Sequence, residues 1–530
     1  MKKLFLALGV CLLGSWTAQA QITLSKDVAV VPTESGQVRG YVHRGVYTYK
    51  GIPYAEANRF EAPHKPKAWS GVRSSLTYGP VAPLLTPTTQ VQDESEFVFD
   101  HSWGYTNEDC MRVNVWTPGI KDGKKRPVMF WIHGGGFTAG SAEELKSYDG
   151  ENLAKKGDVV VVSINHRLNI LGYLDLSAYG DKYKYSANNS VMDMKAALEW
   201  VKANISQFGG DPNNVTIFGQ SGGGAKVNTL MAMPSAKGLF HKAINQSGAF
   251  RGSMLDKATT QAITAEVLKS LNISVDSLQK VPFATLASAG NKALQVVAAQ
   301  MKAAGKPMVG FGLSWGPSVD GDLLPYQLFS DEAMKLSKDV PLMIGTVKNE
   351  FMPSLMTNMA NATAEEVDAY IKKTFGAKAD AYKAAVKKAY PADTKPSDLM
   401  DVDTRFRPGA VVQANLKSAL NAAPVFMYLF TWQSPVMDGK YKSMHCFELP
   451  FCFNNIARCE NMTGGGKEAY ALADKVSQAW INFARVGNPN HKGLPTWPAY
   501  NAAATPTMHL DNTCEVKPQM DKELFELTAN

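Results

Sequence analysis

Ser221 stands among glycines, in the run Gly219-Gln220-Ser221-Gly222-Gly223, directly after the apolar and β-branched residues 215–218. A serine hydroxyl attacks a carbonyl only when a base removes its proton and the backbone holds it toward the substrate. A strand–Gly-x-Ser-x-Gly–helix turn does the holding. Its backbone folds back so tightly that the positions two before and two after the serine crowd each other and must be glycine. The helix that follows aims its N–H groups, and the positive end of its dipole, at the serine. A second glycine run, His133-Gly134-Gly135-Gly136-Phe137, follows another apolar stretch. Consecutive glycines let a backbone approach a substrate with its N–H groups unengaged, and such donors stabilise the oxyanion of a tetrahedral intermediate. The two runs together predict acyl transfer with Ser221 as nucleophile.

The elements that must position these turns alternate in the α/β manner. Residues 127–135, 158–165, 214–219 and 241–248 read as buried strands, and 142–157 as a crossover. Residues 188–210 have helical spacing, with Met192, Ala196, Leu198, Val201 and Ile205 near one face. Strand–helix–strand repetition of this kind predicts a largely parallel central sheet flanked by helices on both faces. Residues 256–305 and 363–390 read as rather polar helices, the second opened by a capping box of Thr363 and Glu366. The strand pattern resumes at 340–345 and 424–430, so these helical stretches read as insertions that roof a site. With no internal repeat and no low-complexity linker, residues 21–530 are expected to form a single domain.

The first twenty residues are expected to leave. Lys2 and Lys3 precede an apolar run from Leu4 to Leu13, and Ala18-Gln19-Ala20 offers small residues for cleavage, a bacterial-type signal peptide over 1–20. The expected result is export to the periplasm or the medium. No other stretch approaches the ~20 apolar residues of a membrane span. The formal charge falls from +7 to +5 with the departure of those two lysines, and no run of basic residues suggests a nucleic-acid partner. Five of the six cysteines remain: Cys110, Cys446, Cys452, Cys459 and Cys514. An exported chain can form disulfides, and Cys452 and Cys459 are near enough in sequence to close a small loop, but an odd number leaves one thiol over. His and Cys do not cluster with zinc spacing, so no metal is expected.

Six segments occur in a telling order: "YKGIPYA" (49–55), "NEDCMRVNVWTP" (107–118), "HGGGF" (133–137), "NISQFGGDPNNVTIFGQSGGG" (204–224), "SVDGDLLP" (318–325) and "WINFARVGNPN" (480–490). In these the chain resembles the type B carboxylesterases, the α/β-hydrolase family that includes the cholinesterases, from about Gly36 to Tyr500. The resemblance implies an α/β-hydrolase fold and hydrolysis of small-molecule carboxylic esters without a cofactor. It also implies roles. Ser221 takes the place of the nucleophile, Glu350 in "MIGTVKNEF" that of the triad acid, and His445 in "SMHCFELPF" that of the base. Gly135, Gly136 and Gly222 match the donors of the oxyanion hole.

The residues themselves agree with this assignment. In this fold the chain order is serine, then acid, then histidine. Only His445, His491 and His509 follow Glu350; His491 lies in a polar turn and His509 in an apparent strand. Asp320 and Asp322 compete for the acid role, although "DGD" reads as turn chemistry, whereas Glu350 follows a buried strand. Amide or carbamate hydrolysis with the same residues is the rival activity, and a non-catalytic binding protein the rival class. The chain also departs from the family. Gln220 stands where many members have Glu, Gly222 replaces the usual Ala, and Cys110 finds no disulfide partner within residues 51–109. Arg405 and Arg407 could clamp an acidic substrate or serve structure only; Trp103 could wall the site or sit in the core.

Overall fold

The computed structural model describes residues 22–84, 93–249, 254–306 and 312–529. The expected leader, residues 1–20, lies outside the described residues. A run such as Arg126–Ile132, buried at every position, has no face to offer water and belongs in the interior of a parallel sheet. The structure puts it there.

Among the described residues, a main sheet of twelve strands organises the fold. Its first flank is antiparallel: β1 (Ile22–Thr23), β4 (Tyr41–His43), β5 (Val46–Pro53) and β7 (Arg112–Thr117). Next come, side by side and parallel, β9 (Val160–Asn165), β8 (Arg126–Ile132), β10 (Gly210–Gln220) and β11 (Lys242–Gln246). The parallel series continues through β12 (Leu342–Val347), β13 (Val425–Phe430) and β14 (Thr507–Leu510), and β15 (Glu515–Lys517) closes it antiparallel. A small second sheet pairs β2 (Val30–Thr33), β3 (Gly36–Arg39) and β6 (Val72–Ser74).

Strand side chains alternate between the two faces, and the core divides accordingly. Val128, Phe130 and Ile132 of β8 enter one apolar cluster with Val160, Val162 and Ile217. Met129 and Trp131 enter another with Val161, Phe218 and Trp480. The helices Asn189–Asn204 and Gly222–Met231 cover the first face; Glu151–Gly157 and Lys467–Val486 cover the second. The fold is the expected largely parallel sheet flanked by helices.

Boundaries differ where turn chemistry takes over. The strand expected to reach residue 135 stops at Ile132, before the glycines. On Asn189–Asn204 the buried stripe is Val191, Met194, Leu198 and Val201, while Met192 and Ala196 lie at its half-buried edge. The stretch 256–305 is two helices, Lys257–Leu271 and Phe283–Ala303, and 363–390 is Ala364–Phe375 and Ala379–Ala389. The Thr363–Glu366 capping box is formed. Among the described residues no helix is long and apolar enough to cross a membrane.

Among the described residues the five cysteines do not pair. Cys452 lies in a short helix and accepts from the Gln246 amide at 3.5 Å, whereas Cys459 belongs to a separate apolar cluster with Val98 and Met462. Cys110 is buried beside Ala82 and Leu168, and burial pushes its thiol up to about 12.

Candidate active site

The parallel strands all end at one edge of the sheet, and the sequence-predicted residues follow those ends. β8 and β10 are neighbours with Gly219 opposite Ile132, so the turn after each strand meets the other. At the end of β10 the backbone reverses through Ser221, at φ +57° and ψ −126°, into the helix Gly222–Met231. A side chain pays of order 1–3 kcal/mol to hold such a conformation. The geometry that demands it is visible in the flanking glycines. A Cβ on Gly223 would lie 2.1 Å from the Ile132 carbonyl oxygen, and one on Gly219 would lie 2.5 Å from the Gly223 carbonyl carbon. Ser221 is anchored by its own N–H, which donates to the Gln246 carbonyl at 2.8 Å.

The 133–136 turn lies against this elbow. A Cβ placed on Gly134 would be 3.5 Å from Ser221 Cβ, and one on Gly222 would be 2.3 Å from Gly136 N. Gly135 and Gly136 have φ of +80° and +61°. The Gly135 carbonyl accepts from Thr138 N (3.3 Å) and Ala139 N (3.0 Å), which closes the turn. Among the described residues the Gly135 and Gly136 N–H groups donate to no protein acceptor.

The other wall comes from the loops after β12 and β13. Glu350 follows β12 by three residues and is fully buried, with Oε1 accepting from Val347 N at 3.2 Å. Its Oε2 takes a short hydrogen bond from His445 Nδ1, and the His445 N–H donates to the Glu350 carbonyl at 3.1 Å. With Nδ1 committed as a donor, Nε2 is left as the acceptor. The amide nitrogen of Gln220, the residue beside the serine, lies 3.2 Å from Nε2 and 3.4 Å from Nδ1. The structure thus gathers Ser221, Glu350, His445 and the three glycines, but no hydrogen bond joins Ser221 to the imidazole.

Burial sets the electrostatics. Desolvation pushes the His445 imidazole down to about 4, against the pull of Glu448 and Asp403, so the ring is held neutral near pH 7. Desolvation also raises Glu350, whose carboxylate would stabilise the imidazolium once a proton arrives. Asp403 and Glu448 are both raised to about 7, chiefly by burial and further by Glu350.

The competing residues are engaged elsewhere. Asp320 accepts from Asp322 N and Leu324 N at 2.9 Å, which is turn chemistry, and Asp322 pairs with Lys184 at 2.6 Å. His491 bonds the Lys475 carbonyl, and His509 is buried in β14. Arg407 is buried against Asp521, while Arg405 is exposed. Trp103 is half-buried and stacks on His101 at 4.6 Å, which stacks in turn on Phe99. Among the described residues no group of three or more His, Cys, Asp or Glu side chains is arranged to hold a metal ion. A cavity of about 520 Å³ lined by Lys50, Tyr78, Tyr105 and Glu143 is separate, since none of the site residues lines it.

Several participants carried no sequence signal. Phe351 and Phe406 pack on the imidazole with ring centroids at 4.6 and 5.3 Å. The Cys446 thiol donates to Gln220 Oε1 at 3.3 Å and so orients the amide that faces His445. In the sequence Gln220 stands out only as a departure from the family and Cys446 only as one of the five remaining cysteines, neither as a contact of His445.

A serine elbow at the carboxyl edge of a largely parallel sheet defines an α/β-hydrolase. The chain belongs to the carboxylesterase family, whose profile matches residues 27–528. It is similar to the para-nitrobenzyl esterase of Bacillus subtilis (strain 168), 37% identical over 93% of this chain and 97% of that protein. It is also similar to the phenmedipham hydrolase of Pseudarthrobacter oxydans, 32% identical over 89% and 93% of the two chains. Among solved structures, an esterase from anaerobic Clostridium hathewayi, described as able to hydrolyse aliphatic aromatic polyesters, superposes with a TM-score of 0.83. It is 38% identical, over 95% of this chain and 98% of that one. The protein is accordingly a carboxylic ester hydrolase.

Proposed function

We propose that the protein hydrolyses carboxylic esters by two-step acyl transfer through Ser221, His445 and Glu350. The observation that carries the reading is the Glu350–His445 hydrogen bond, with the imidazole set against Gln220, the residue next to Ser221 at the strained elbow. His445 Nε2 takes the Ser221 proton as the serine oxygen attacks the ester carbonyl, which requires the Gln220 amide to release that nitrogen. The oxyanion rests on the N–H groups of Gly135, Gly136 and Gly222. Its collapse breaks the bond to the alcohol oxygen, which leaves with the proton held by His445. Water then repeats the sequence on the acyl-serine and releases the acid. Residues 21–530 act as one domain after removal of an exported leader, which N-terminal sequencing of the secreted product would check by a start at Gln21.

The test uses residues 21–530 and the Ser221→Ala variant on p-nitrophenyl esters of increasing acyl length, beside matched anilides. A Ser221-dependent burst on esters is expected, with anilides much slower. Full hydrolysis by Ser221→Ala would overturn the mechanism, and anilide rates equal to ester rates would favour amide hydrolysis.

A further inference from the structure

The helix that starts at Ser221 carries a lysine that the mechanism above does not use. Lys226 is fully buried, and among the described residues it forms no salt bridge. An ammonium removed from water is retained only where its protons find acceptors. Here Nζ donates to two successive carbonyls, His133 O at 3.0 Å and Gly134 O at 3.4 Å. These are the first two residues of the turn that lies against Ser221.

A trans peptide points its C=O and its N–H in opposite directions, and none of the described peptide bonds is cis. The Gly134 carbonyl and the Gly135 N–H belong to one peptide. With Lys226 on the carbonyl, the Gly135 N–H is turned to the opposite side of the peptide. The next peptide is set differently, by the turn bonds that Thr138 and Ala139 give to the Gly135 carbonyl. The 134–135 peptide has no such turn bond; its carbonyl is held by Lys226 and by His133 Nδ1 at 3.0 Å. A cation on that carbonyl also polarises the peptide and makes its N–H a stronger donor.

We infer that Lys226 is a positioning residue for ester hydrolysis, fixing the 134–135 peptide so that the Gly135 N–H meets the oxyanion and adding positive potential behind it. This rests on the proposed roles of Ser221 and Gly135. The surroundings make the charge conditional. Glu144 approaches the same cluster, since the space of a side chain on Gly140 would be shared by Gly134 O, His133 Nδ1 and Glu144 Oε1. Its carboxylate accepts from Tyr148 OH at 3.2 Å. His133 and His166 stack at 4.9 Å, and burial together with the Lys226 charge keeps both imidazoles well below their ordinary value. Arg167 lies beyond, paired with Asp193. Burial lowers Lys226 to about 7, against the pull of Glu144, and raises Glu144 to about 7. A lysine so lowered loses its proton as pH rises, and the support of the oxyanion donor goes with it.

The experiment compares wild type with Lys226→Met and Lys226→Gln on one p-nitrophenyl ester across pH, with saturating fluorophosphonate labelling of Ser221 to count folded sites. Lys226→Met is expected to lose kcat per labelled site by about 10- to 100-fold with KM changed little, because the interaction matters most in the transition state. Lys226→Gln, which keeps one donor, should fall between. Wild-type kcat should decline on the alkaline side, and the variants should lack that decline. A trifluoromethyl ketone, which forms an oxyanion adduct with Ser221, should lose affinity in step with kcat. If Lys226→Met folds poorly, the Gln variant and the wild-type pH profile still decide. Unchanged kcat per labelled site, or an alkaline decline common to all three proteins, would overturn this inference alone. Failure of fluorophosphonate to label wild-type Ser221 would overturn the site assignment and this inference together.

Discussion

Two walls meet at Ser221, and they are built from different materials. The wall of the serine and the 133–136 turn is backbone: glycines packed where a Cβ would collide, with β8 and β10 adjacent in the sheet. The wall of the base is side chain. Glu350 and His445 are 95 residues apart, and the ring is held by a carboxylate, an amide and two phenyl rings. The difference teaches where each is vulnerable. A Cβ added to the first wall meets backbone, so a single methyl group either breaks it or forces a local withdrawal of the turn. The second is held by hydrogen bonds and burial, so it responds to charge and protonation while the fold survives.

The sharpest way to break the backbone wall is Gly223→Ala. The added carbon would sit 2.1 Å from the Ile132 oxygen and 2.9 Å from the His133 oxygen, both backbone atoms that cannot swing aside. A clash of this kind in the core falls in the range above about 4 kcal/mol. The expected outcome is little or no folded protein, read as lost soluble yield and, for any soluble fraction, a much lower Tm.

On the side-chain wall, Glu350→Gln keeps volume and burial but removes the carboxylate that, in the proposed mechanism, stabilises the imidazolium and sets its tautomer. Loss of kcat by about 10³- to 10⁴-fold is expected with Tm nearly unchanged. A Tm collapse instead would mean that this carboxylate serves the fold first.

The same contrast governs what the sequence made legible. Central strands such as β8 and β9 are unbroken apolar runs, and the elbow is a local pattern whose glycines have one physical explanation, so both could be read from consecutive residues. Glu350 and His445 emerged only through chain order and family resemblance, because nothing local marks a histidine as the partner of a carboxylate 95 positions away. Phe351, Phe406 and the Cys446 thiol were invisible for the same reason: their contacts belong to loop packing, which has no period. Periodicity places Met192 and Ala196 on the core-facing side of their helix, where both pack against the core at the half-buried edge, but it does not resolve how deeply each is buried.

Gly222→Ala tests how rigid the backbone wall is beside the donors. The family usually has Ala here, yet a Cβ would lie 2.3 Å from Gly136 N and O and 2.4 Å from its Cα. The 135–137 turn would have to withdraw, moving one donor off the oxyanion position. A drop in kcat of about 10- to 100-fold is expected, smaller than for Glu350→Gln, with folding preserved. Unchanged kcat would show that the turn yields freely and that the close approach of the two glycines does not hold the donors in place.

The smallest effect sharpens the other wall. The Gln220 amide nitrogen lies 3.2 Å from His445 Nε2, which accepts the Ser221 proton in the proposed mechanism, and 3.4 Å from Nδ1, and it brings no charge. Gln220→Glu would replace that donor by a carboxylate about 3 Å from the ring, within the range where an opposite charge favours the imidazolium. The sign follows. The base works only when neutral, so its activity falls as pH drops through the imidazole pKa, and a raised pKa moves that fall to higher pH. Burial holds His445 down to about 4 in the present protein, which predicts esterase activity that persists well below pH 6.5. In Gln220→Glu the acid limb of kcat/KM should move up by about one pH unit or more, with the maximum rate changed only a few-fold. An unmoved acid limb would mean that the new carboxylate is itself protonated. The Glu350, Asp403 and Glu448 cluster gives a reason: burial raises all three, and like charges nearby disfavour a fourth.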